Sequence, residues 1–204
     1  MIHLGEFKEK REISGDSQNF GRIIVLSEIC NARAKLIQFA NSLTFNQISL
    51  EFSDLGSNSQ LLVGQSSSTL SLIKFQFIHL SSKEIEGDLI YITEGSLEMT
   101  DVKMSNMLFK NDHRPITMIT NKSVKLNQVN IVNIKGDSNT KGGVMSIEFG
   151  DKGNLDIQNS IFLGCSCSAN KPGAGGVLYI SLKSSKFIEP IANTQFLGNN
   201  AFLG

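Results

Sequence analysis

The most reactive-looking string in this 204-residue chain is Asn111-Asp112-His113-Arg114, set between Lys110 and Pro115. A carboxylate beside an imidazole can exchange a proton, and the arginine could hold an anion. A catalytic assignment needs a converging site, though, and a polar loop closed by proline accounts for the same residues. Glu84, Glu86 and Asp88 are the densest acidic group, the kind of oxygen cluster a calcium site requires. No arginine stands beside them in sequence, and they read as a solvated loop. His79, between Ile78 and Leu80, falls on an outward strand slot and reads as a surface histidine. Cys165 and Cys167 are one residue apart, whereas zinc-binding pairs have two to four residues between them, so they read as small apolar fillers near a strand end. With Cys30 they make three cysteines, an odd count that leaves at least one thiol without an intrachain partner. No catalytic, cofactor-binding or metal-binding residue is assigned, and the chain reads as non-enzymatic.

Composition narrows the partners. Nineteen basic and 19 acidic side chains cancel to zero net charge, against the basic excess that phosphate binding calls for, so no nucleic-acid partner is expected. With no Trp and 2 Tyr, stacking platforms for sugar rings are scarce. Apolar residues at 40% suit a folded chain and not a disordered tail. No run reaches the roughly 18 apolar residues of a transmembrane helix, and residues 1–12 are too charged for an export signal. The single sequon, Asn121-Lys122-Ser123, is a chance-level hit in a chain so rich in Asn, Ser and Thr.

The elements that would position these residues follow from an internal repeat. From Val124, apolar residues fall at offsets 0, 2, 5, 7 and 10: Val124, Leu126, Val129, Ile131 and Ile134. Steps of 27 residues back give Leu97, Met99, Val102, Met104 and Met107, then Leu70, Leu72, Phe75, Phe77 and Leu80. A third step gives Leu43, Phe45, Ile48 and Leu50, with Ser53 in the last slot. Forward, the unit returns after 31 residues as Leu155, Ile157, Ser160, Phe162 and Cys165, and after 34 more as a degenerate copy with Ile191, Thr194, Phe196 and Asn199.

Offsets 0 and 2 lie on one face of a strand, as do 5 and 7, because strand side chains alternate. The outward positions are mostly polar: Thr44, Ser71, Glu98, Lys125 and Asp156, then Ser49, Gln76, Lys103 and Asn130. Offsets 3 and 4, rich in Asn, Gln, Asp and Lys, predict a bend, since Asn and Asp tolerate the left-handed conformation. A third apolar segment near offset 19 includes Leu89-Ile90-Tyr91-Ile92 and Val144-Met145-Ser146-Ile147. It is apolar on both faces, with Val63, Ile90 and Thr117 in its outward slots, so it predicts either a face covered by the loops 135–143 and 166–176 or a partner-docking surface.

Units of this kind bury their inward faces only by stacking. The expectation is an all-β, right-handed parallel β-helix solenoid of about six coils, each of three short strands. Residues 1–20 form a polar segment or cap, and 21–204 a single domain. The apolar finish at Ala201-Phe202-Leu203-Gly204 suggests a fragment of a longer repeat protein or an end that pairs with another chain. The leucine-rich-repeat frame fits less well: it wants Asn or Cys in the last slot, and only Cys165 and Asn199 comply.

Gly142-Gly143-Val144-Met145 and Gly175-Gly176-Val177-Leu178 resemble the GGA[ILV] motif of polymorphic outer-membrane-protein repeats. Phe196-Leu197-Gly198-Asn199 is similar to their F-x-x-N, with Phe162-Leu163-Gly164-Cys165 as a Cys variant. The resemblance is specific over residues 140–200 and pattern-deep over 35–135. It implies a pectin-lyase-like β-helix acting as an adhesive or structural module, extracellular or at the cell surface, with a protein or glycan partner and no cofactor. Carbohydrate-active enzymes share this shape, and a hydrolase among them would need paired carboxylates projecting from neighbouring layers.

Overall fold

The computed structural model describes residues 6–7, 11–14, 21–25, 35–52, 55, 59–65, 67–81, 83–136, 142–167, 175–183 and 191–201. Among them every regular element is a strand. The first level holds β1 (Glu6–Phe7), β2 (Arg11–Ser14) and β3 (Gly21–Val25), the second β4 (Lys35–Phe39) and β5 (Ser42–Phe52). Next come β6 (Ser59–Gly64) and β7 (Thr69–His79), then β8 (Gly87–Thr93) and β9 (Ser96–Phe109). Above these lie β10 (Ile116–Thr120), β11 (Ser123–Asn127) and β12 (Asn130–Gly136). The last two levels are β13 (Met145–Phe149), β14 (Asn154–Gln158), β15 (Ile161–Leu163) and β16 (Ser166–Cys167), then β17 (Leu178–Leu182), β18 (Gln195–Leu197) and β19 (Asn200–Ala201).

Two parallel sheets result. One runs β1-β4-β6-β8-β10-β13-β17, and the other is built on β2-β5-β7-β9-β12-β15-β18, with β3, β11, β14, β16 and β19 joined to it. The chain is a parallel β-solenoid, as the repeat predicts. About four turns run from β6 to β17, slightly fewer than the six expected from the six repeat copies; residues 26–34 and 184–190 lie outside the described residues. Cys30 and Ser53 lie outside them too.

Equivalent slots pile in single file. Leu43 pairs with Leu70, Leu70 with Leu97, Leu97 with Val124, and Val124 with Leu155. The neighbouring file is Phe45, Leu72, Met99, Leu126 and Ile157. All of these are buried and belong to one core. Phe75 packs edge-on against Phe45 at 5.5 Å and against Phe77 at 4.8 Å, geometries that add to plain area burial.

The bend takes a form that the repeat only half reveals. Offset 4 is left-handed in every copy, at Gln47, Lys74, Asp101, Gln128, Asn159 and Asn193. In β5, β7 and β9 the strand nevertheless runs on through the bend, so two expected short strands are one long one there. A second left-handed file, at Asn106, Asn133, Gly164 and Gly198, starts only at β9. Asparagines link across levels at these bends: Asn133 Nδ2 donates to Asn106 Oδ1 (3.1 Å), Asn159 Nδ2 to Asn127 Oδ1 (2.9 Å) and Asn193 Nδ2 to Asn159 Oδ1 (3.3 Å).

Several slots depart from the pattern. Leu80, in an inward slot by offset, is 50% exposed, because the strand ends at His79. Ile90 is not outward: it pairs with Leu62 and Ile116 in a buried file, and the outward file of the third segment is Val63, Tyr91, Thr117, Ser146 and Tyr179. The segment reads as apolar on both faces because Leu89, one residue before Ile90, is also packed into the core. Ile161 places an exposed apolar side chain where the earlier copies carry Lys103 and Asn130, and the exposed Leu163 and Leu197 continue the outer file of Ser105 and Val132.

Candidate functional site

Two places gather polar chemistry. The first is the corner where the third segment begins. Two residues before the paired file Ile90, Ile116, Met145 and Leu178 stand Asp88, Arg114, Gly143 and Gly176. Asn111 and Asp112, both left-handed, fold residues 110–115 into a tight turn closed by a hydrogen bond from His113 N to the Lys110 carbonyl. The turn is stapled to the preceding level by Lys110 N donating to Ile85 O and by an ion pair of Lys110 with Glu84.

Inside this corner Asp88 Oδ1 accepts from Arg114 N at 3.1 Å and lies 3.3 Å from His113 Nδ1. Asp88 is therefore no solvated loop acid; it is buried, as is Arg114, whose Nη2 donates to the Asp112 carbonyl. Burial pushes the guanidinium below its ordinary range, while Asp88, Asp112 and Cys167 pull it back up. The string Asp112-His113-Arg114 thus meets one member of the acidic group 84–88, which sequence reading kept apart. The 26-residue separation of Asp88 and Arg114, one short of the repeat, was the available signal. An Asp–His contact can relay a proton, but both partners are consumed in holding the turn, with side chains 9% and 13% exposed. In this corner a buried carboxylate collects a backbone and a ring donor.

In the next two levels glycines fill the same corner. A Cβ on Gly143 would lie 2.5 Å from Gly176 O and 2.7 Å from Ser166 O, and one on Gly176 would lie 2.7 Å from Asn200 O. The second glycine of each Gly-Gly pair is thus dictated by backbone passing close overhead. Asn199 has an equally local task. Its Oδ1 accepts from Cys165 N (2.8 Å) and its Nδ2 donates to Phe162 O (2.8 Å). In the level below, Cys165 occupies that slot, its Sγ 3.6 Å from Leu163 O and 3.8 Å from Ile131 O. Cys165 and Cys167 are both buried, and burial raises the Cys165 thiol.

The second place is a shallow polar groove of about 260 Å³ on the outer face of β9, β11 and β14, lined by Glu98, Thr100, Lys125, Asn127, Asp156 and Gln158 among others. Here carboxylates do project from neighbouring levels, but Lys125 stands between them in the file Glu98–Lys125–Asp156. Lys125 Nζ is 3.7 Å from Glu98 Oε1, and Gln158 Nε2 donates to Asp156 Oδ1 at 3.0 Å. On the third-segment face from β8 to β17, Glu148 is the one carboxylate at offsets matching Tyr91 and Thr93.

Comparison with protein families, with curated proteins and with solved structures found no match to this chain. The identity of the molecule rests on its fold. Among the described residues no helix is long and apolar enough to cross a membrane, and no group of three or more His, Cys, Asp or Glu side chains is placed to hold a metal. His79 is half-buried and stacks on Phe52 at 5.1 Å, so it is part of a packed file and not a free surface histidine. The loops expected to cover the third segment lie largely outside the described residues; their described ends stack directly, Gly143 N donating to Gly175 O at 3.1 Å.

Proposed function

We propose that the chain is a non-enzymatic module, an adhesive or structural scaffold of a secreted or cell-surface protein, of the kind its Gly-Gly and F-x-x-N units resemble. The observation that carries this reading is where the polar chemistry is used. Asp88 and His113 are engaged in holding a turn, and Glu98 is paired to Lys125. The motif residues Gly143, Gly176 and Asn199 all serve contact between levels. A solenoid spending its sequence this way offers long rigid faces and stable spacing, the properties of a scaffold.

A pectin-lyase-like carbohydrate-active enzyme or polysaccharide-binding module is the second reading, favoured by the groove around Glu98, Lys125 and Asp156. One experiment separates the two. The purified chain is incubated with acidic and neutral polysaccharides, following bond cleavage and binding together, beside the variants Glu98→Gln and Asp156→Asn. The scaffold reading expects no cleavage by any of the three proteins and retained binding to intact cells or extracellular matrix. Cleavage abolished by either variant overturns it, as does failure to bind either surface.

A further inference from the structure

The corner between β10 and β11 holds a motif that the scaffold reading leaves unused. Asn121-Lys122-Ser123 is the single N-x-[ST] sequon of the chain. β10 ends at Thr120 in one sheet and β11 begins at Ser123 in the other, so Asn121 and Lys122 alone make the connection, and both are exposed. The corner is held without the Asn121 side chain. Lys122 N donates to Thr120 Oγ1 (2.9 Å), which itself donates to Gly95 O (2.6 Å). The carbonyls of Thr120 and Lys122 accept from Gly150 N and Asn154 N in the next level. Elsewhere in the solenoid asparagine amides tie levels together: Asn133, Asn159, Asn193 and Asn199 each donate Nδ2 to the level beneath. Among the described residues Asn121 Nδ2 has no such partner. Its amide lies instead over Gly150, where a Cβ would come within 2.6 Å of Asn121 Cγ.

We propose that Asn121 is an N-glycan acceptor, modified during export and before this level folds. The inference rests on the secreted or cell-surface reading, since the transfer belongs to the export route. The donor is an oligosaccharide carried on a lipid diphosphate. Asn121 Nδ2 bonds to C1 of the first sugar, the C1–O bond breaks with its electron pair leaving on the diphosphate, and the proton lost from Nδ2 passes to a base of the transferase. The motif also requires the Ser123 hydroxyl to be reached. In the folded chain that oxygen is buried at the start of β11, without a hydrogen-bond partner among the described residues. The order of events follows. The transferase reads an open 121–123 segment; β11 then docks between β9 and β14, withdrawing Ser123 Oγ while Asn121 stays outside. The attached glycan breaks none of the hydrogen bonds that hold the corner. It projects from an exposed turn, the surface position that so bulky and solubilising a group needs.

The test sends the 204-residue chain through a eukaryotic secretory pathway under an appended signal. Residue 121 is read by mass spectrometry before and after enzymatic deglycosylation, which leaves aspartate where a glycan stood. The expected result is a glycan at Asn121, lost outright in Asn121→Gln and in Ser123→Ala and retained in Ser123→Thr. Both loss variants are expected to fold, since Asn121 is exposed and the Ser123 hydroxyl has no hydrogen bond to lose. Unglycosylated chain, purified folded and then offered to the transferase with its lipid-linked donor, is expected to stay unmodified. An exported chain with Asn121 bare, a glycan that survives Ser123→Ala, or transfer to the already folded chain overturns the proposal. Binding of the exported protein to cells and matrix is scored separately, with and without the glycan, so a failed scaffold reading and a failed acceptor assignment give different results.

Discussion

Gly143 shows how little freedom a corner residue has. Its missing side chain is replaced by the carbonyls of Gly176 and Ser166, and backbone cannot step aside as a flexible side chain would. Gly143→Ala is expected to lower stability by about 1–3 kcal/mol, the usual cost of overpacking, measured as a lower urea midpoint. One level earlier, Asp88→Ala strips Arg114 N of its buried acceptor, for an expected loss of about 1–3 kcal/mol by the same measurement. Cys165 gives a pH-dependent prediction. Its thiol is raised in the folded chain by burial, so above about pH 9 the unfolded state gives up a proton that the folded state keeps. The unfolded state then binds fewer protons and stability falls as pH rises, while at neutral pH the thiol has no effect. Cys165→Ser should remove that alkaline contribution from the unfolding free energy. The three residues differ in how visible they were. Gly143 belongs to a repeated doublet that marks it as special; Asp88 looked like any loop acid until folding put Arg114 against it.

At the scale of the element, the bend decides whether one strand or two is drawn. Every copy has a left-handed residue at offset 4, yet the occupants range from asparagine to Lys74. Left-handed backbone costs an ordinary side chain roughly 1–2 kcal/mol, and asparagine recovers part of that through local hydrogen bonding. Lys74→Asn is therefore expected to raise the thermal midpoint slightly, and Gln128→Val, which puts a β-branched residue in the left-handed region, to lower it clearly. A midpoint unchanged in both would mean that packing, not backbone preference, holds the bend. The alternation of apolar and polar residues made the strands legible, and the polar pair between them made the bend legible. The third segment was misread at Ile90 because Leu89 beside it also goes into the core. A continuous apolar run carries no phase, so the sequence could not say which of its residues points out.

The whole molecule is a stack in which each level touches mainly its neighbours, so protection from solvent should vary along it. Amides of β7 and β9, covered above and below, are expected to exchange slowest, and those of β18 and β19, paired on one side among the described residues, fastest. Uniform exchange along the stack would contradict this quasi-one-dimensional picture. The 27-residue period, the inward files and the parallel stacking were all determined by the sequence itself, because identical apolar slots can be buried only by laying one copy on another. The tertiary structure decided what no period contains. It joined Asp88 to Arg114, packed His79 against Phe52, and turned Ile90 into the core. Each of those outcomes depends on which side chains the stacking of levels brings against one another, and a period in the sequence does not state that.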